Sequence, residues 1–191
     1  MRDVAGTCTD GTTPDHYGGT LASGDVGGLL PAQTIGYQSV NPGGFAVDAW
    51  NNPIRYAVAR TVTGCTGPTT PHWTNATNMR ANGIACQPSD LLVCKSASGI
   101  TAANCGGAAN QIMTQNMVVA IIFSTGKNAN GGGGTGLDEA ANLNGAGNTD
   151  PIFVYHGPTP SDFVNGEFDD QFSWITVGEL YGKLISAGVL P

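Results

Sequence analysis

The sequence predicts an α+β fold built on an antiparallel sheet, with long loops and a C-terminal helix. Three observations predict it: β-branched runs fill the middle of the chain, one amphipathic pattern closes it, and turn-forming residues abound between them. The 191 residues include 29 glycines and 11 prolines, while charged residues make up only 11%. Gly and Pro together come to roughly a fifth of the chain, short of the low-complexity range, so the chain reads as folded and loop-rich. Its length fits one domain with a real core, and a single domain over residues 1–191 is expected.

Residues 1–44 are rich in Gly and Thr with few apolar pairs, which predicts ordered loop. Ile54 to Val62 alternates and is β-branched enough for a strand, and Asp90 to Cys94 and Asn116 to Ser124 repeat that signal more strongly. The run from Met117 to Phe123 is apolar on both faces, as in a central strand covered on each side. Ile152 to Tyr155 and Phe168 to Ile175 read as two more strands, with long inserts at 63–88 and 125–150. At the end, Val177, Leu180, Tyr181, Leu184 and Ile185 fall on one helical face, predicting a helix over 177–187 packed on the sheet. Thr176 and Glu179 have the form of a capping box, and Gly188 can supply a left-handed C-terminal cap.

Seven basic against fourteen acidic residues give a formal charge of −7. Such a field repels phosphate backbones and anionic lipid, so nucleic-acid partners are disfavoured. No stretch approaches the ~20 apolar residues of a membrane span. The five cysteines, Cys8, Cys65, Cys86, Cys94 and Cys105, contain no C-x-x-C pair, which favours disulfides over a zinc site and an oxidising compartment over the cytosol. The short-range closures Cys65 with Cys86 and Cys94 with Cys105 are expected, leaving Cys8 over.

Catalytic patterns fit poorly. Phe123-Ser124-Thr125-Gly126-Lys127-Asn128 follows an apolar strand as a phosphate loop does. However, Ile121 stands where its first glycine belongs and Asn128 where its Ser or Thr belongs. No serine lies in a G-x-S-x-G elbow, and His16, His72 and His156 stand in separate segments. Asp169 and Asp170, adjacent on a predicted strand, should point to opposite faces, which does not suit a shared acid/base pair. Asn75-Ala76-Thr77 matches the glycosylation tripeptide, a pattern common by chance.

The most informative segment runs from Asp48 to Tyr56. Pro53 sets the angle of strand entry after an Asn-Pro turn, Asp48 can accept backbone N–H bonds from that turn, and Trp50 and Tyr56 offer large bodies to pin the loop onto a sheet. Upstream stand Gly28-Leu29-Leu30-Pro31 and Thr34-Ile35-Gly36. Downstream stand Phe123 to Asn128, Asp138-Glu139-Ala140-Ala141-Asn142-Leu143 and Phe168-Asp169-Asp170. In that order these blocks resemble the globular heads of type IV pilin-like proteins, the pseudopilins and minor pilins of type II secretion and pilus systems. Such corners usually carry Gly where this chain has Asn51, the non-glycine residue best able to turn left-handed.

The resemblance implies a pilin-like head whose sheet packs on an apolar N-terminal helix upstream of Met1, the membrane anchor before assembly and the filament core after it. It implies a structural subunit without catalytic residues, located at the periplasmic face of the inner membrane and then in a periplasmic or extracellular filament. Its partners would be other pilin or pseudopilin subunits, and an exported protein or surface ligand. A calcium site is expected in the loop from Gly126 to Asn148, with side-chain oxygens from Asp138, Glu139 and Asn142 and carbonyls from Gly131 to Gly136. Calcium binding by major pseudopilins in a comparable loop adds to the chemical motive. The competing reading is a short helix from Glu139 to Leu143 capped by Asp138. Two rival functions remain in view: a calcium-binding or adhesive module acting through the long inserts, and a secreted hydrolase whose histidine meets Ser, Asp or Glu across a cleft.

Overall fold

The computed structural model describes residues 28–129, 136–143 and 151–190, together with the backbone of two short paired strands, β1 (Asp3–Val4) and β2 (Thr7–Cys8). The expected roles of the Cys8 thiol and of Gly131 to Gly134 lie outside the described residues. Along the chain follow α1 (Ala32–Ile35), β3 (Arg55–Val58), β4 (Val62–Thr63), α2 (Ala76–Asn82), β5 (Gln87–Pro88), β6 (Leu92–Cys94) and β7 (Gln111–Met113). Then come β8 (Val118–Ser124), α3 (Leu137–Leu143), β9 (Ile152–Val154), β10 (Gln171–Thr176) and α4 (Val177–Ser186).

β8 is the central strand of an antiparallel sheet ordered β10-β8-β3. A second sheet is ordered β7-β6-β9, and β4 and β5 form a small antiparallel ladder. The architecture is α+β with a C-terminal helix, but not purely antiparallel, because β6 pairs with β9 in parallel. The connection from β6 to β9 crosses over through β8, long enough to reverse direction twice.

Registry explains the faces. Ala57, Ile121 and Trp174 lie opposite one another across the sheet, and so do Phe123 and Phe172. This side packs into the main core with Leu91, Val93, Phe153, Val177 and Tyr181. Phe123 stacks on Phe172 with ring centroids 5.0 Å apart and meets Phe153 edge-on, an arrangement that adds to plain burial. The reverse side carries the buried Tyr56 and Ser124, the half-buried Val58, Ala120, Ile122 and Ile175, and the exposed Gln171 and Ser173. The double apolar pattern of β8 is therefore covered fully on one side and only in part on the other by the described residues.

α4 takes the predicted place. Thr176 Oγ1 accepts the Glu179 N–H at 3.3 Å, and Gly188 closes the end at φ 68°. Val177 and Tyr181 are buried and Leu180 and Leu184 pack partly against the core, whereas Ile185 is 50% exposed. Ile185 thus falls outside the stripe.

The insert 63–88 folds without apolar periodicity, around amides instead. Asn75, of the glycosylation tripeptide, caps α2 by accepting from Thr77 N and Asn78 N. Buried Asn82 accepts from Thr66 N and Gly67 N and donates to Pro68 O at 2.8 Å. Cys65 is bonded to Cys86 across this insert and Cys94 to Cys105 beside β6. Two disulfides suggest an oxidising extracellular or periplasmic setting, and no helix among the described residues is long and apolar enough to cross a membrane.

Candidate functional site

At the end of β8 the chain leaves the sheet through Ser124 and Gly126, and four sequence blocks converge there. The Asp48 carboxylate receives the Trp50 N–H at 2.9 Å and the Asn52 N–H at 2.8 Å on one oxygen, and the Ser124 hydroxyl on the other. Asn52 Nδ2 donates to Gly126 O, and Gly126 N donates to Ser124 Oγ at 3.2 Å. Asn51 adopts φ 68°, the left-handed turn expected of it. Tyr56 is buried and Pro53 pairs with Val47, but Trp50 is 38% exposed. The corner is held by the Asp48 carboxylate, and Trp50 does not pin it.

One turn further, Lys127 N donates to Asp169 Oδ2 at 2.9 Å, and Asp169 N donates to Glu139 Oε1 at 2.9 Å. Gly126 is required here, because at φ 68° a Cβ would fall 1.7 Å from Asp169 Oδ1. Both Glu139 oxygens accept from Asn128 Nδ2 at 3.1 Å. Asp170 Oδ2 accepts from Asn142 Nδ2 at 2.7 Å.

The result is a buried acidic cluster that could hold a metal ion: one carboxylate oxygen from each of Glu139, Asp169 and Asp170 lies within 4.8 Å of the others. Glu139 is fully buried and Asp170 is 5% exposed. Burial raises the Glu139 carboxyl above its ordinary range and pushes Asp170 up to about 7, with the neighbouring carboxylates adding to both. Among the described residues, buried Asp169 Oδ1 and Asn128 Oδ1 have no hydrogen-bond partner. All these donors are oxygens, the set preferred by hard divalent cations.

The expected ligands are divided. Glu139 is in the cluster. Asp138 turns elsewhere, receiving Ala97 N and Asn165 Nδ2 and facing His156 Nε2 at 3.1 Å. Asn142 Oδ1 accepts the Val154 N–H at 2.7 Å, so its amide pairs α3 with the edge of β9. α3 begins at Leu137, so Asp138 lies inside the first turn and does not cap it. Asp169 and Asp170 precede β10 and do not alternate across it, which is how adjacent carboxylates reach one site. The signal that would have found them is Phe168-Asp169-Asp170 itself, with a buried aromatic anchoring the pair.

As for a nucleophile, Ser124 meets the Asp48 carboxylate and, among the described residues, no imidazole. His156 faces Asp138 through Nε2 and Gly157 O through Nδ1 at 2.7 Å. Both ring nitrogens are thus turned to oxygens of Asp138 and Gly157 and neither to a hydroxyl.

No protein-family model, no curated protein and no solved structure matches the chain.

Proposed function

We propose that this chain is the head of a pilin-like subunit that works by assembly, in a type IV pilus or a type II secretion pseudopilus. The observation that carries the reading is the half-covered face of the β10-β8-β3 sheet. A solvated face of an antiparallel sheet alternates to polar residues; this one is polar at Ser124, Gln171 and Ser173 but carries the half-buried Ala120, Ile122 and Ile175 beside the buried Tyr56. Beside it runs a groove of about 370 Å³ lined in part by Tyr37, Trp50, Ile54, Ile122 and Ser173. Apolar surface of this kind marks a contact. An apolar helix laid along the strands, as the family resemblance implies, would cover it.

Ser173→Arg tests the reading, since Ser173 is exposed on that face. The isolated head should melt as the parent does, while filaments counted by electron microscopy on the source cells should be lost. Normal filaments carrying the variant would overturn the proposal.

A second reading rests on the acidic cluster: the head takes up calcium through Glu139, Asp169 and Asp170, where the buried Asp169 Oδ1 has no hydrogen-bond partner among the described residues. Calcium would neutralise three crowded carboxylates and tie the turn after β8 to α3 and the entry of β10. Melting temperature with calcium and with excess chelator tests it, and equal values would remove it.

A further inference from the structure

The two disulfides sit in different chemistry. Cys94 is fully buried and Cys105 is 4% exposed, both within an apolar cluster of Leu92, Ile152 and Ile100. Among the described residues no donor reaches either sulfur. The Cys65–Cys86 bond is asymmetric. Gly64, at φ 73°, lets its strand approach Ala85 so closely that a Cβ would stand 2.7 Å from the Ala85 carbonyl. Cys65 is half-buried between exposed Gly64 and Thr66, whereas Cys86 is fully buried.

Against the buried sulfur stands His72, itself 4% exposed, with Nδ1 3.7 Å from Cys86 Sγ. A disulfide sulfur has no proton to give, so the proton of this contact belongs to Nδ1. Burial lowers the His72 pKa and favours the neutral ring, which leaves Nε2 as a lone pair; among the described residues it has no partner. Trp73 meets the imidazole at right angles, centroids 4.5 Å apart, and holds the ring in place.

We infer that Cys65–Cys86 is a thiol-exchange site at which an incoming thiolate attacks Cys65 Sγ and Cys86 leaves, its developing charge received by the Nδ1–H of His72. Exchange is governed by access to the attacked sulfur and by the stability of the departing thiolate, and this bond separates the two roles between its sulfurs. In the first step the new bond joins the reagent sulfur to Cys65, the old bond breaks, and its electron pair stays on Cys86. With a dithiol reagent the second thiolate then attacks its own sulfur in the mixed disulfide and releases Cys65. Two electrons pass to the protein and the reagent becomes a disulfide. The opened segment is 66–85, which carries α2 and the exposed Ile84, so the reaction would loosen that part of the head while leaving the second bridge closed.

The test uses the full chain and glutathione, quenched with an alkylating agent and mapped by mass spectrometry. Glutathione should be found on Cys65, the alkyl label on Cys86, and Cys94–Cys105 intact. His72→Ala should slow opening of Cys65–Cys86 by roughly tenfold, as loss of a hydrogen bond to a charged group does. His72→Asn, which keeps an N–H near the position of Nδ1, should restore part of the rate. Glutathione on Cys86, simultaneous opening of both bridges, or an unchanged rate in His72→Ala would each overturn the inference. Should His72→Ala fail to fold, the position of glutathione on the parent chain decides.

Discussion

At the scale of single residues, two positions carry the corner that leads into β3. Asp48 accepts two backbone N–H groups and one hydroxyl, so Asp48→Ala leaves three donors to find water in a crowded turn. A loss of about 2–4 kcal/mol is expected in denaturant unfolding. Asn51, at φ 68°, should accept Gly with a change within about 0.5 kcal/mol, whereas Asn51→Ala should cost about 1 kcal/mol. Asp170 gives a pH dependence. Its folded value of about 7 stands above its ordinary 3.8, so the folded state binds the proton more tightly. That contribution is complete below pH ~4 and is lost as pH rises through 7. Metal-free protein should therefore lose melting temperature between these values, and Asp170→Asn should flatten the slope. The Asn51 turn was legible in the sequence because local chemistry alone decides it. The Asp169–Asp170 site was not, because it depends on where β10 starts, and strand ends are set by tertiary pairing.

At the scale of elements, the strands and α4 were readable wherever an apolar period existed: β8 from its continuous run, α4 from its stripe and cap. α2 has no such stripe. It is fixed by Asn75 at its start, by Asn82 bonding the loop around it, and by Tyr181, whose hydroxyl lies 2.9 Å from Gly83 O and 3.2 Å from Met79 O. Amide and hydroxyl networks leave no periodic trace. Tyr181→Phe should cost about 1 kcal/mol by removing that link, read as a lower denaturant midpoint with unchanged slope. Leu184→Asp should cost more, roughly 2–3 kcal/mol, because it places a charge against the core from a half-buried position. A variant that melts like the parent would show that the last turn of α4 is not held there.

At the scale of the whole molecule, none of the pairings in the main sheet is a hairpin. β8 joins β3 on one side and β10 on the other, and each partner is separated from it in the chain by other elements. Loop closure must precede both pairings, which makes such topologies slow to form. Until β3 and β10 arrive, Val118-Val119-Ala120-Ile121-Ile122-Phe123-Ser124 is an unpartnered β-branched segment without charge or proline, the composition that favours self-association. The head should therefore refold with a yield that falls as its concentration rises, through aggregates built on this segment. Ile122→Lys, placed on the half-covered face, should raise that yield at the same concentration.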